Sequence, residues 1–125
     1  MAARSAGLAL ALAACVAASL LHHVHNAEYL QDYPNLPRTL TRGGVYAAWL
    51  AEAVIAFTGY VLLHFGKEKT GLALIGLYAL IGFGGLAHYY AAPLSAHTLA
   101  MNATIWLEAL TAALLLFTVL RRTTG

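Results

Sequence analysis

Charge is scarce in this chain of 125 residues: seven Lys or Arg and five Asp or Glu, 10% of the sequence in all. A net charge of +2, spread along the chain, is too small and too scattered to suit a nucleic-acid partner. Cysteine is nearly absent as well. Cys15 stands alone, so an intrachain disulfide, a CxxC redox pair and a thiolate zinc site are all excluded. The three prolines, Pro34, Pro37 and Pro93, fall between the hydrophobic stretches rather than inside them. No Pro/Ser-rich linker, acidic tail or basic tract separates off a second module, so residues 1–125 read as one small domain. Phosphate-cradling loops, a nucleophile elbow and a His-Glu-x-x-His helix are missing. Ser19 and Ser95 have no context that would make either a nucleophile.

What the chain has is apolar length. Its hydrophobic fraction is 61% and its mean hydropathy +0.71. A helix needs about 20 mostly apolar residues to cross a bilayer. Four stretches qualify, at approximately 6–29, 44–64, 71–91 and 97–120. The connection 31–43 carries Pro34 and Pro37, which stop a helix and favour extended or turning backbone. Residues 65–70 read as a tight polar turn, and 92–96 contain Pro93. Short connections make successive helices antiparallel neighbours. The expected fold is all-α, an integral-membrane antiparallel four-helix bundle. Gly76, Gly82, Gly84 and Gly85 let the third span approach its neighbours, with space for a ligand near His88 as the alternative use.

The N-terminal segment imitates a bacterial lipoprotein signal: Arg4, an apolar run, then Leu12-Ala13-Ala14-Cys15. Polar mature sequence should follow such a signal, whereas Val16–Leu21 continues apolar, so an uncleaved span is the better reading. Lys and Arg set orientation. Arg4, Lys67, Lys69, Arg121 and Arg122 fall on one side, Arg38 and Arg42 on the other. Both termini are therefore expected in the cytoplasm, in a cell inner membrane, with the proline-containing loops outside.

Against this background the ionisable residues stand out. His22, His23, His25, Glu28 and Asp32, then Glu52, His88, His97 and Glu108, lie in or at the rims of the spans. Each such group in hydrocarbon costs about 2.5–3.5 kcal/mol on insertion scales and by default marks a function. The topology puts them all in the outer half of the bundle, with Glu52 about eight residues, or roughly 12 Å, into the second span. Spacings of three place His22, His25 and Glu28 along one side of the first helix. His97, Met101, Thr104 and Glu108 form a stripe on the fourth. His23 points away from His25 toward the headgroups, and His64 is an interfacial residue. Tyr29, Tyr33, Tyr46, Trp49, Tyr89, Tyr90 and Trp106 read as an interfacial aromatic belt.

Imidazoles and carboxylates on facing helices are how bundles build metal centres without thiolates. The expected ligands of a zinc, copper or iron ion are His25, Glu28, His88 and His97. His22, Met101 and Asn102 would complete the binding site, and Glu52 and Glu108 would carry protons as the catalytic pair. A hydrophobic or lipid-like small molecule is the substrate such a site implies. Four alternatives stay open. Paired histidines such as His22 or His25 with His88 could hold a non-covalent haem b. The carboxylates could serve a metal-free acid/base isomerase. His97 and Met101 suit copper binding or transport, with a homo-oligomer to thicken the wall. The polar groups could also only fix helix register in an accessory subunit.

Leu21-His22-His23-Val24-His25-Asn26-Ala27-Glu28-Tyr29-Leu30, running into Asp32-Tyr33-Pro34, resembles the small bacterial membrane proteins named for a His-x-x-Glu-Glu motif. The likeness covers about a tenth of the chain, and Tyr29 stands where the second Glu would be. It implies a metal-binding membrane protein of similar size, with no established reaction.

Overall fold

The computed structural model describes residues 2–124; Met1 and Gly125, and the side chains before Ala6, Arg4 among them, lie outside the description. Four helical spans, each long and apolar enough to cross a membrane, form an antiparallel bundle. Helix α1 runs Ala2–Glu28, α2 Arg42–His64, α3 Glu68–Ile81 with a one-turn α4 at His88–Ala91 beyond it, and α5 Leu99–Thr123. Around the bundle, α1 packs on α2 and α5, and α3 packs on the same two. The connections follow their turn chemistry. Gly66 takes a left-handed φ of 71° in the link to α3, where a side chain would be strained. At the other end Asn35 does the same at 56° just before Leu36-Pro37. Thr41 caps α2 by accepting the Gly44 N–H, and Thr98 caps α5 by accepting that of Met101.

The two ends of the bundle differ. The end carrying the termini and the Gly66 turn is closed by an apolar cluster of Leu8, Leu12, Cys15, Ile75, Ala79, Ala112, Leu115 and Val119, all buried. Cys15, at the lipoprotein-like position, is wholly inside this core. Gly59 of α2 and Gly71 of α3 bring two backbones together. A β-carbon on Gly71 would stand 2.8 Å from the Gly59 carbonyl oxygen, and one on Gly59 3.0 Å from that of Gly71. The opposite end carries all three prolines and every histidine but His64, and is called the proline end below.

One span departs from expectation. The third was read as a continuous helix over 71–91. Instead α3 stops at Ile81, a 3₁₀ turn spans Gly84–Ala87, and α4 adds one further turn. Phe83 and Leu86 donate to carbonyls three residues back, Leu80 and Phe83, so the backbone stays paired through the break. Glycine at 82, 84 and 85 weakens helix here. Gly82 also lies so close to α5 that a β-carbon would stand 2.8 Å from that of Ala112. Irregular backbone at membrane depth is tolerated where it lines a cavity, and this break does.

Candidate functional site

On α1, a face of Cys15, Ala18, Ser19, His22 and Asn26 is buried at helical spacing. On α5, the buried face runs Met101, Thr104, Ile105, Glu108, Ala112. The two faces meet, so His22 (3% exposed) and Glu108 (2% exposed) confront each other, Nε2 to Oε2, at 3.8 Å. His23, one residue on, is rotated by about 100° toward α2. There its Nε2 stands 3.7 Å from Oε2 of Glu52, while its Nδ1 is 3.8 Å from the other Glu108 oxygen and donates to the Ser19 carbonyl at 2.9 Å. Glu52 lies ten residues into α2 and Glu108 nine into α5, about 15 Å and 14 Å of helix rise.

These four groups border a cavity of about 240 Å³, which is lined further by Asn26, Ile81, Gly84, Gly85 and His88. The imidazole–carboxylate separations exceed hydrogen-bond length of about 2.7–3.2 Å, so these side chains border the space without bonding to each other. Glu108 Oε2 is buried with no hydrogen-bond partner, as are Asn26 Oδ1 and Ser19 Oγ. A buried polar atom left unsatisfied costs about 1–3 kcal/mol, which an occupant with polar atoms would recover. Gly85 leaves the space open, since a β-carbon there would stand 2.8 Å from Glu108 Oε2 and 3.4 Å from His22 Nε2. Gly84 beside it is exposed and Glu52 and His23 are partly so, which puts the mouth of the cavity on the flank of the bundle at the helix break.

A second polar layer lies between the cavity and the proline end, and its centre is a loop residue. Tyr33, 4% exposed, inserts between the spans. Its hydroxyl meets His25 Nδ1 at 2.9 Å, and its ring packs on His88 and His97 with centroids 4.9 and 6.5 Å away. Burial pushes the Tyr33 hydroxyl up to about 12, with the Thr104 hydroxyl beside it acting in the opposite sense. Asn26 Nδ2 donates to His88 Nε2 at 3.0 Å. His97 lies just before the α5 cap; its Nδ1 donates to the Pro93 carbonyl, and its buried Nε2 has no partner.

Of the expected metal ligands, then, the structure gathers His25, His88 and His97 around an aromatic ring. Glu28 is elsewhere. It stands on the exposed rim, where Oε1 accepts from Arg42 at 2.7 and 2.9 Å and from the Tyr46 hydroxyl at 2.6 Å. Spacing alone placed it with His25; the cation that claims it lies across the first loop. Among the described residues, no three His, Cys, Asp or Glu side chains are arranged to hold a metal ion. Met101 and Asn102 have structural occupations. The Met101 sulfur accepts the Thr98 N–H at 3.4 Å in the helix cap. Asn102 accepts from the Tyr89 hydroxyl and donates to the Leu94 and His97 carbonyls, tying the last turn to α5. A haem between His22 and His88 would need a slot, yet those rings touch edge to face with centroids 5.4 Å apart.

His22 and Glu108 face the bundle interior, as their helical phases predict, and Glu52 lines the same cavity. His23, expected at the headgroups, instead lies between both carboxylates, 3.7 and 3.8 Å from them. Its position one residue past His22 was the available signal, because a cavity between three helices needs two adjacent faces of α1. Tyr33, read as part of the aromatic belt, had no such signal; helical periodicity says nothing of a loop that folds inward. Compared with protein-family models, curated proteins and solved structures, the chain matches none.

Proposed function

We propose that this chain is an integral-membrane acid/base protein that moves protons on a small membrane-soluble molecule held in the flank cavity. The observation that carries this reading is the pairing of two intramembrane carboxylates, Glu52 and Glu108, with His23 and His22 around an open 240 Å³ space. Glu52 on α2 and Glu108 on α5, each beside an imidazole of α1, can act as donor and acceptor in one proton shift, as general acid–base catalysis requires. The lateral mouth favours a hydrophobic substrate whose polar group reaches the unpaired Glu108 oxygen. The excess of basic residues at the terminal end supports cytoplasmic termini, with the cavity in the outer half of the membrane.

The test uses protein in nanodiscs made with host lipid extract and transferred to D₂O. Wild type should introduce deuterium at carbon into an extractable small molecule, detected by mass spectrometry, and Glu108→Gln should abolish it. One transition-metal ion per chain, retained on dialysis and lost in Glu108→Gln or His23→Ala, would overturn the reading in favour of a metal centre. Elemental analysis of the same preparation decides between them.

A further inference from the structure

The walls of the cavity are rich in hydrogen-bond acceptors and poor in donors, and the bonds around them show why. His23 Nδ1 lies 2.9 Å from the Ser19 carbonyl, which can only accept. That nitrogen therefore carries the ring proton, and Nε2, turned to Glu52, is bare. His22 follows the same pattern. The Thr104 hydroxyl spends its proton on the Met101 carbonyl at 3.0 Å and offers a lone pair to His22 Nδ1 at 3.4 Å. His22 Nε2 is then bare as well, 3.8 Å from Glu108 Oε2. Asn26 commits Nδ2 to His88 Nε2 at 3.0 Å, and its buried Oδ1 has no partner. Glu108 Oε2, deeper still, has none either. His88 Nδ1 holds the remaining ring proton. Among the described residues, no Lys or Arg lines the cavity.

An occupant that satisfies such walls must bring donors and, beside two carboxyl groups, positive charge. We propose that the cavity binds the primary ammonium group of a membrane-soluble amine, with Glu108 as its counter-ion. It rests on the reading of the cavity as the place where the membrane-soluble molecule is held. An ammonium carries three N–H donors and no acceptor. A nitrogen about 2.8 Å from both His22 Nε2 and Glu108 Oε2 fits the 3.8 Å between them, at the length of a charge-assisted bond. The third N–H is left for the wall of Glu52 and His23. Gly85 keeps the room beside Oε2 that this nitrogen takes. The hydrocarbon tail leaves through the mouth beside exposed Gly84. Other head groups match less well. A hydroxyl has one donor and no charge, and a carboxylate or phosphate brings more acceptors to walls already made of them. A metal ion would also meet acceptors, but no three His, Cys, Asp or Glu side chains among the described residues are arranged to hold one. With one cation bound, one carboxylate balances it and the other carboxyl is free to hold a proton. That is the asymmetry an acid and its base require.

The test uses the full chain, labelled with ¹⁵N-histidine, in phosphatidylcholine nanodiscs at fixed pH, with hexadecylamine added at rising mole fraction of lipid. Nuclear magnetic resonance should show the His22 and His23 Nε2 signals, assigned with His22→Gln and His23→Gln, shifting to saturation. Hexadecanol has one donor and no charge; hexadecyltrimethylammonium has charge and no donor. Each should need at least tenfold more to produce the same shift. Glu108→Gln should weaken hexadecylamine at least tenfold, and so should Gly85→Ala, which crowds Oε2 without touching the charge. The comparison of the three amphiphiles in wild type holds even where a variant fails to fold. An equal response to hexadecanol or to hexadecyltrimethylammonium would overturn the proposal, as would the absence of a saturable shift with hexadecylamine. Phosphatidylethanolamine nanodiscs separate the two sources of an ammonium. Weaker hexadecylamine binding there assigns the group to a lipid headgroup, and unchanged binding assigns it to a free amine. Failure here with deuterium incorporation still dependent on Glu108 removes the amine and leaves the acid/base reading. Loss of that dependence with amine binding intact leaves a binding site and sinks the reading.

Discussion

The two ends of this bundle solve opposite problems with the same four helices. At the terminal end, Leu12, Ile75, Ala112 and Leu115 fill the space between spans, and paired glycines let α2 and α3 close up. At the proline end the helices surround imidazoles, carboxylates and a cavity, with buried polar atoms left unpaired. Lipid supplies little drive for helix association, so close packing must do that work. The difference teaches where stability and chemistry lie. One end holds the bundle together, and the other can carry groups that cost stability.

Breaking the comparison should be easiest in the tight end. Gly71→Leu would press a side chain onto the Gly59 carbonyl and Leu63, and should prevent α2–α3 closure. Unfolding in mixed micelles, followed by circular dichroism, should show loss of the cooperative transition. Ile75→Ala, with no exposed surface at the site, should cost about 2–4 kcal/mol in the same measurement.

The polar end should answer in function rather than stability. Glu108→Gln should lower turnover by about 10²–10⁴, the span of general acid–base catalysis. It should leave the melting temperature unchanged or raised, since it removes an ionisable group from a buried site. Gly85→Ala is the sharper probe. Its methyl group displaces only the end of the Glu108 side chain, so the variant should fold normally and lose about tenfold in turnover.

Two smaller effects complete the contrast. Tyr33 is held neutral by burial, its value raised from 10 to about 12. Its contribution is therefore full below pH 10 and is lost as pH rises through 12, because the unfolded chain ionises first. Wild type should lose melting temperature against Tyr33→Phe across that window. Arg42→Gln, at the exposed rim pair with Glu28, should change nothing measurable in either assay.

Much of this division can be read from the residues. Long apolar runs between prolines specify the four spans, and Glu52 and Glu108 stand out because a carboxylate in hydrocarbon needs a reason. His22 follows from its phase on α1. The rest depends on contacts between segments distant in sequence. Glu28 shares a helix face with His25, yet Arg42 and Tyr46 hold it from across a loop. Tyr33 sits between two helices in chain order, where no periodic pattern assigns it a side. The break at Gly82–Gly85 looks like a small-residue packing stripe, and Gly82 does pack. Only its neighbour Gly85, set against Glu108, shows the second use.

That break carries a practical consequence. Helix α3 stops after 14 residues, and exposed Gly84 marks the notch that opens the cavity on the flank of the bundle. On the proposed function a guest enters from the lipid phase, so its occupancy would follow its mole fraction among lipids and not its aqueous molarity. Excess micelles would dilute such a guest and make a tight binder look weak, whereas a fixed, small number of lipids per chain would reveal it.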